Sequence, residues 1–511
     1  MELSNTRKTI LANYIGQAWV SLMGIAFLPI FIKYLGMESY GLIGVFALVQ
    51  SWLALLDMGM APTLNREMAR YKAGAYDADS IKDLLRSLEI IFLIVASLVV
   101  VVIFSCSAML ASNWLKVEKL PLDVVTQAIS IIAFIVALRF IEGMYRSSLF
   151  GLNKQVWFNG VSAILATVRQ LGALAVLAWY SPTIQAFFIW QGIISLVTVI
   201  VLAMGVYFAI PHTTRRPKFS KDLLLSVWKF AGGMLSITIL SILLTQVDKL
   251  LLSKLLSLES FGFYTLSATV ASVLYMVVGP LTQALYPKMV ELVAIKDQQK
   301  LAEIYHKGCQ LVTVLVAPVA LVIGTYAEGV MFAWSGDPAI SYHTSSILSI
   351  MILGTFLNSL MYVPYHLQLA YGWTSLAVKI NLISVCILVP AILLVVPKYG
   401  ALGSAYIWLI LNLGYFCIGI YFMHRKVLKM ELWKWYFSDV ICPVTGIVMV
   451  ILISRLLMPA NYSSRVDWLI FLCSTVVVAC ITATVFASDI KQYISLKALR
   501  VTFSRIAWKK I

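Results

Sequence analysis

Two arginines and a glutamate share one face of an apolar segment, where charged residues are rare. Arg139, Glu142 and Arg146 are spaced i, i+3 and i+7, which places them on one face of a helix. Arg169 lies in the middle of the next apolar segment. Guanidinium groups bind phosphate oxygens through paired hydrogen bonds, and one glutamate cannot neutralise three arginines. The pattern therefore predicts an anion-binding site, and an Arg139–Glu142 ion pair with a purely structural role is the alternative.

Other polar residues within apolar segments are predicted to complete this site. Lys249 could add a cation, and its neighbour Asp248, together with Glu142 and Asp57, could bind a coupling ion or act in gating. Asp248 and Lys249 could instead be an interfacial pair, and Asp57 could simply pair with Arg66. Amides could line a hydrated path or join helices by hydrogen bonds; these are Asn13, Gln17, Gln170, Gln246 and Asn358. The aromatic residues that could stack on sugars, or serve only in packing, include Tyr275, Tyr286, Tyr362 and Tyr365.

The composition indicates that a membrane surrounds these charges. Hydrophobic residues make up 61% of the chain and charged residues only 12%, against roughly 45–50% and about 25% in soluble proteins. Apolar runs of about 20 residues recur, which is the length of a membrane-spanning helix, and they do not alternate as barrel strands do. We therefore predict an all-α polytopic membrane protein with about fourteen spans, at 10–32, 40–62, 88–110, 124–149, 157–179, 183–209, 227–252, 261–287, 307–333, 344–371, 376–396, 402–424, 439–458 and 467–487.

Arg139 and Arg169 lie near the middle of the bilayer in this arrangement. Each is about ten to twelve residues from the inner end of its span, or roughly 15–18 Å at the rise of an α-helix. An arginine at that depth costs at least ~2.5 kcal/mol, so it normally faces a wet cavity or a partner. Arg146 lies close enough to the span end to reach the surface.

The distribution of basic residues orients the spans. With both termini inside, the inner connectors carry 25 of the 39 Lys and Arg residues and the outer connectors carry six, as the positive-inside rule requires. The net charge of +16 is then a property of cytoplasmic connectors and does not indicate nucleic-acid binding. The short connectors exclude a folded extramembrane domain, and no paired carboxylates at one bilayer face indicate an enzyme. The five histidines and seven cysteines show no metal-ligand spacing, so we predict no metal site and no cofactor.

A repeat divides the chain into two halves. K-Y-L-G-M-E-S-Y-G at Lys33–Gly41 matches K-L-L-S-L-E-S-F-G at Lys254–Gly262 in five of nine positions. The copies are six predicted spans apart and therefore have the same orientation, which is typical of transporters built from two parallel halves. We predict a first lobe at 1–226 (helices 1–6), a second at 227–424 (helices 7–12), and two further helices with a basic cytoplasmic tail at 425–511. The substrate path is expected between the lobes, near the midplane.

Three segments resemble a known family. They are Phe31–Met60, which contains F-I-K-Y-L-G-M-E-S-Y-G-L and L-L-D-M-G-M; Arg139–Gln155, R-F-I-E-G-M-Y-R-S-S-L-F-G-L-N-K-Q; and Gln246–Leu266, Q-V-D-K-L-L-L-S-K-L-L-S-L-E-S-F-G-F-Y-T-L. The chain is similar to the Wzx-type polysaccharide-biosynthesis flippases of the multidrug/oligosaccharidyl-lipid/polysaccharide exporter superfamily. The resemblance implies a two-lobed fold of twelve helices plus two, and a cationic cavity in which Arg139, Arg146 and Arg169 occupy suitable places.

The resemblance also implies the substrate and its setting. The substrate would be an undecaprenyl-diphosphate-linked oligosaccharide for O-antigen or exopolysaccharide, moved across the bacterial inner membrane by alternating access. A polysaccharide polymerase and a chain-length regulator are possible partners, and H⁺ or Na⁺ are possible coupling ions. A cation-coupled multidrug exporter and a lipid-linked peptidoglycan-precursor flippase are the alternatives. The drug exporter would need an acidic or apolar cavity for cationic substrates, which the arginines disfavour.

Overall fold

The structure, a computed structural model, describes residues 15–53, 55–57, 59–72, 74, 76–211, 215–225, 242, 246–373, 375–457 and 464–491. Within these ranges the chain is helical and forms no β-strand, and only an isolated bridge joins Lys116 to Ser257. This confirms the predicted all-α fold. The helices are α1 Leu28–Leu35, α2 Met37–Leu53, α3 Met60–Lys72, α4 Ala78–Met109, α5 Leu122–Gly151, α6 Gln155–Ala175, α7 Ile184–Ala209, α8 Leu258–Ala271, α9 Val273–Ala294, α10 Gln298–Thr325, α11 Ala327–Ser335, α12 Pro338–Leu360, α13 Tyr362–Ala370, α14 Ser375–Gly414, α15 Ile420–Lys426, α16 Leu432–Lys434, α17 Cys442–Leu456 and α18 Arg465–Phe486. Short π-helical segments at Leu110–Trp114, Val176–Tyr180, Tyr415–Gly419 and Trp435–Ile441 continue or join these helices, and residues 15–26 and 246–255 are also helical.

Eleven stretches of the described chain are long and apolar enough to cross a membrane. One of them, Leu376–Lys426, has 51 residues and covers two predicted spans. It bends at Gly400, where φ is +60° and the helical geometry is interrupted. Most of the predicted span 227–252 lies outside the described residues, so the count of fourteen stays a prediction. The chain is a multi-pass membrane protein.

Contacts between Cα atoms divide the chain into two compact units, Met1–Gly262 and Phe263–Ile511. We call them unit 1 and unit 2. The predicted lobe boundary at 226/227 lies at the edge of residues 226–241, which are outside the described part of the chain, and it stays a prediction.

In unit 1, α5 is the central helix and packs along α4 and α7. The rings of Phe92 and Phe140 stack at 4.6 Å between α4 and α5. Near them, the buried carboxylate of Glu89 accepts hydrogen bonds of 2.9 Å from the hydroxyls of Tyr145 and Tyr207. Helices α4, α5 and α7 are therefore fastened together by one buried acceptor as well as by apolar packing.

The two copies of the repeat contact each other reciprocally within unit 1. A Cβ atom at Gly41 would lie 2.2 Å from the carbonyl oxygen of Leu258, and one at Gly262 would lie 2.8 Å from the carbonyl oxygen of Met37. Gly41 thus faces Leu258, which lies four residues before Gly262. Gly262 in turn faces Met37, which lies four residues before Gly41. This exchange is what a two-fold relation between two similar elements produces. It explains why both copies carry glycine at this position, since any side chain would push the helix ends apart.

The glutamates of the two copies hold the same connector, residues 115–121. Glu38 is buried and accepts hydrogen bonds from the backbone N–H groups of Glu118, Lys119 and Leu120, at 2.6, 2.9 and 2.8 Å. Glu259, in the second copy, forms an ion pair with the Lys119 ammonium. This hydrogen bond to Glu259 raises the pKa of Lys119 above its ordinary value. The repeated E-S-x-G pattern therefore positions one connector from two sides.

In unit 2, α10 carries a buried histidine between two carboxylates. His306 Nδ1 lies 2.5 Å from Asp439 and Nε2 lies 2.9 Å from Glu431. Gln310, one turn further along α10, donates to Asp439 at 3.1 Å and accepts from the backbone N–H of Asp489 at 3.0 Å. These contacts attach the C-terminal helices α17 and α18 to the rest of unit 2.

Candidate functional site

Three helices of unit 1 position the predicted cationic residues. Arg139 and Glu142 lie on α5, Arg169 lies on α6, and α7 packs against both of these helices. A Cβ at Gly192 of α7 would lie 3.5 Å from the Ile135 side chain, one turn before Arg139. Helices α5 and α7 therefore lie within ordinary side-chain contact distance one turn before Arg139.

The structure brings Arg139, Glu142 and Arg169 together. An Nη atom of Arg139 lies 3.2 Å from a carboxylate oxygen of Glu142, and each side chain is 18% exposed. Arg169 donates to the Thr198 hydroxyl of α7 at 3.2 Å, and it lies within electrostatic range of both Arg139 and Glu142. Glu142 therefore pairs with Arg139 and lies only within electrostatic range of Arg169, and the three side chains together carry one net positive charge.

Several buried polar atoms of this region have no hydrogen-bond partner among the described residues. They include Nε of Arg139, Nε of Arg169, the side-chain oxygen of Gln170 and the hydroxyl of Ser195. Buried polar atoms are nearly always paired, and each exception costs about 1–3 kcal/mol. The ion pair that we considered as the structural alternative is present, but it satisfies only part of Arg139 and none of Arg169. The Nε–H donors of both arginines are therefore buried and lack an acceptor among the described residues.

Arg146 and Asp57 lie further along unit 1. Arg146 is exposed, as expected from its place near the end of the span. Asp57 is half-buried, accepts a hydrogen bond from the backbone N–H of Ala61 at 2.8 Å, and lies within electrostatic range of Arg146. Arg66, the partner considered for Asp57 from sequence, lies 3.4 Å from Glu67.

Lys249 and Asp248 lie on the helical residues 246–255 of unit 1. Both are half-buried, and the Lys249 ammonium lies 3.5 Å from the side-chain oxygen of Gln246, three residues earlier on the same helical segment. Within the described part of the chain, no hydrogen bond or ion pair joins Lys249 to Arg139 or Arg169. The role predicted for Lys249 in substrate binding stays a prediction.

The predicted amides are distributed over both units. Gln17 is exposed on the helical residues 15–26, and Asn13 lies outside the described residues. Asn358 belongs to unit 2, where it donates to Asn412 at 2.7 Å and accepts from the Tyr275 hydroxyl at 3.0 Å. Gln170 is next to Arg169 in sequence on α6. A shared lining by these amides stays a prediction.

Thr198 and Ser195 are residues that sequence reasoning missed. They lie one turn apart on α7; the Thr198 hydroxyl accepts from Arg169, and the Ser195 hydroxyl is buried without a partner among the described residues. Their i, i+3 spacing within an apolar segment is visible in the sequence, but hydroxyls usually bond their own helix carbonyls, as Thr198 also does with Ile194 at 2.6 Å. That pattern alone could not identify Arg169 as the partner.

Comparison with known proteins identifies the family. The profile of the family described as "Polysaccharide biosynthesis protein" matches residues 6–293, and the "MatE" profile matches residues 234–394. A curated protein of Shigella flexneri described as "Putative O-antigen transporter" is 22% identical over 398 residues, which cover 78% of this chain and 92% of that protein.

Two solved structures share the fold at low sequence identity. An inward closed conformation of the lipid II flippase MurJ superposes with a TM-score of 0.66 at 13% identity and covers 95% of this chain and 98% of its own. An inward-facing transporter of the multidrug resistance MATE family superposes with a TM-score of 0.65 at 13% identity. The match covers 81% of this chain and 96% of that transporter. Together with the eleven apolar helices and the family profile over more than half of the chain, these likenesses show that the chain belongs to the polysaccharide biosynthesis protein family and is a membrane transporter of the multidrug/oligosaccharidyl-lipid/polysaccharide exporter superfamily.

Proposed function

We propose that this transporter is a flippase for undecaprenyl-diphosphate-linked oligosaccharides of O-antigen or exopolysaccharide synthesis. It moves them from the cytoplasmic to the periplasmic leaflet of the bacterial inner membrane, with both of its own termini in the cytoplasm. The observation that carries the proposal is the pair of arginines Arg139 and Arg169, which lie within electrostatic range of each other and each have an Nε–H without an acceptor among the described residues. The described Shigella relative supports the choice of substrate class.

The chemistry of a lipid-linked diphosphate fits this pair. Its isoprenoid tail can stay in the bilayer, whereas its diphosphate and sugars need a polar path. Arginine presents N–H donors in a fixed fork that matches phosphate oxygens, and such charge-assisted bonds are about twice as strong as neutral ones. In our proposal, the diphosphate occupies the donors of Arg139 and Arg169 while the protein alternates between inward-open and outward-open states.

The membrane potential supplies a driving force. The cytoplasm is negative, so outward movement of an anion is favourable by ~2.3 kcal/mol per charge per 100 mV. A diphosphate carrying about two charges would gain roughly 4.6 kcal/mol at 100 mV if it crossed the whole field uncompensated. Coupling of transport to H⁺ or Na⁺ through Glu142, Asp57 or Asp248 would add to this driving force.

The arginines would affect the two alternative substrates, cationic drugs and a lipid-linked peptidoglycan precursor, differently. An excess of positive charge repels cationic drugs, which disfavours a multidrug exporter. A lipid-linked peptidoglycan precursor carries the same diphosphate, and the shared fold with the lipid II flippase is compatible with it. This second substrate therefore has to be separated by experiment.

The test uses Arg139→Gln, Arg169→Gln and the double variant in cells that depend on this protein for surface polysaccharide. We expect surface polysaccharide to fall at least tenfold and lipid-linked oligosaccharide to accumulate on the inner leaflet. Arg425→Gln, at an exposed arginine of unit 2, is the matched control and should transport normally at equal protein abundance. Normal transport by the double variant would refute the proposal, and loss of peptidoglycan precursor transport instead would favour the other flippase.

A further inference from the structure

Four tyrosines and a histidine of unit 2 form a connected series of neighbouring rings, and we name them the aromatic cluster. The rings of Tyr275 and Tyr362 lie 5.6 Å apart, and Tyr362 stacks on His366 at 6.4 Å with an interplanar angle of 25°. Tyr286 and Tyr365 each approach the same imidazole at 5.7 Å, nearly edge-on. The residues come from α9 and α13, which pack against each other. Residues from two helices thus form one continuous aromatic surface.

The helices that carry the aromatic cluster are interrupted. The path from α8 to α9 breaks at Ser272, and α9 contains Pro280 and Pro287. The path from α12 to α13 breaks at Met361, whose N–H bonds Asn358 three residues back. Proline removes a backbone donor, so freed carbonyls need other partners. Interrupted helices in membrane transporters mark places where the backbone lines a cavity or a binding site.

The polar atoms of the cluster are largely unused within the protein. His366 Nδ1 lies 2.7 Å from the carbonyl oxygen of Tyr362, so this nitrogen carries the proton and Nε2 remains an acceptor. Within the described ranges, no hydrogen bond is made by Nε2 of His366 or by the hydroxyls of Tyr286, Tyr362 and Tyr365. Tyr365 is 43% exposed, and Tyr286, Tyr362 and His366 are half-buried, so the cluster is partly open to its surroundings.

Structural tyrosines of unit 2 behave differently. The hydroxyl of Tyr305 pairs with His424 at 3.2 Å, that of Tyr326 with Ser454 at 2.8 Å, and that of Tyr415 with Asn381 at 3.0 Å. A buried tyrosine in a packing role normally finds such a partner. The unpaired hydroxyls of Tyr286, Tyr362 and Tyr365 therefore distinguish them from these packing tyrosines.

We propose that the aromatic cluster binds the oligosaccharide part of the lipid-linked substrate, an inference that rests on the proposed function. The apolar C–H faces of pyranose rings stack on tyrosine rings, and sugar hydroxyls bond the free phenol groups and His366 Nε2. The amides of Asn358 and Asn412 adjoin the cluster through the Tyr275 hydroxyl and extend its polar edge.

Two probes separate sugar binding from diphosphate binding. The first is undecaprenyl diphosphate, which carries no sugar, and the second is the lipid-linked oligosaccharide extracted from cells that produce this protein. Equilibrium binding of each is measured to the full-length protein in lipid nanodiscs. Wild-type protein is expected to bind the second probe more tightly than the first.

Substitutions in the aromatic cluster should weaken binding of the lipid-linked oligosaccharide only. For Tyr286→Ala and Tyr362→Ala we expect a loss of about tenfold, or about 1.4 kcal/mol, with binding of undecaprenyl diphosphate unchanged. Tyr286→Phe and Tyr362→Phe remove only the hydroxyl and keep the ring, so they disturb folding least. Each should lower the affinity for the lipid-linked oligosaccharide about threefold. Tyr399→Ala, at a tyrosine that is 69% exposed and outside the cluster, is the control and should bind both probes normally.

The results that would overturn each proposal are different. Equal affinity of the wild type for the two probes, or unchanged binding by the phenylalanine variants, would refute sugar binding by the cluster. Arg139→Gln should weaken binding of both probes, because both carry the diphosphate. If it weakens neither, the proposed function fails, whatever the tyrosine variants show.

Discussion

Removal of the Glu38 carboxylate should release the 115–121 connector in a way that can be measured amide by amide. Three backbone N–H groups, those of Glu118, Lys119 and Leu120, donate to this one buried side chain. A hydrogen bond to a charged group contributes about 1.5–3 kcal/mol. Water can replace part of the lost hydrogen bonding at an exposed connector. We therefore expect Glu38→Ala to cost the equivalent of one to two such bonds, about 2–4 kcal/mol of local stability.

Hydrogen exchange followed by mass spectrometry reports this cost directly. A loss of 2 kcal/mol or more in local opening free energy speeds exchange of the three amides by about 30-fold or more. Glu38→Gln keeps one acceptor oxygen and should give an intermediate rate. Glu118→Ala removes an exposed carboxylate from the same connector and is the matched control. Wild-type exchange rates in Glu38→Ala would refute the reasoning, since the connector would then be held by something other than this side chain.

Two further predictions concern stability. Gly41→Val should lower the melting temperature of the purified protein, because its Cβ would lie 2.2 Å from the Leu258 carbonyl and overpacking costs about 1–3 kcal/mol; Gly24→Val meets no atom within 4 Å and should melt like the wild type. Asp439→Ala should destabilise unit 2 by about 2–5 kcal/mol, because it leaves the buried Nδ1 of His306 without its acceptor; the detachment of α17 and α18 should appear as faster proteolysis of the C-terminal region, and unchanged protection would contradict it.

The fold class followed from composition, while the contacts within it did not. Apolar runs of spanning length recur whatever their neighbours are, so the helical segments were visible in the sequence. The repeat at Lys33–Gly41 and Lys254–Gly262 was also visible, but its reciprocal glycine contact was not. A match between two sequences shows that they adopt similar local structure, and it does not show that they touch.

The candidate site was predicted in part for a similar reason. Helical spacing put Arg139 beside Glu142, and depth in the bilayer put Arg169 at a similar level. The bond from Arg169 to Thr198 joins residues 29 apart on different helices, so it depends on how α6 and α7 pack. The tyrosines were recognised singly as possible sugar contacts, but only tertiary structure shows that they surround His366.

The most direct test of the account is the affinity of purified protein for undecaprenyl diphosphate relative to undecaprenol, which has the tail without phosphates. We predict that the wild type prefers the diphosphate by about 100-fold, equivalent to about 2.8 kcal/mol. The Arg139→Gln, Arg169→Gln double variant should bind both lipids about equally. A double variant that keeps the wild-type preference would show that these guanidinium groups do not receive the phosphate headgroup.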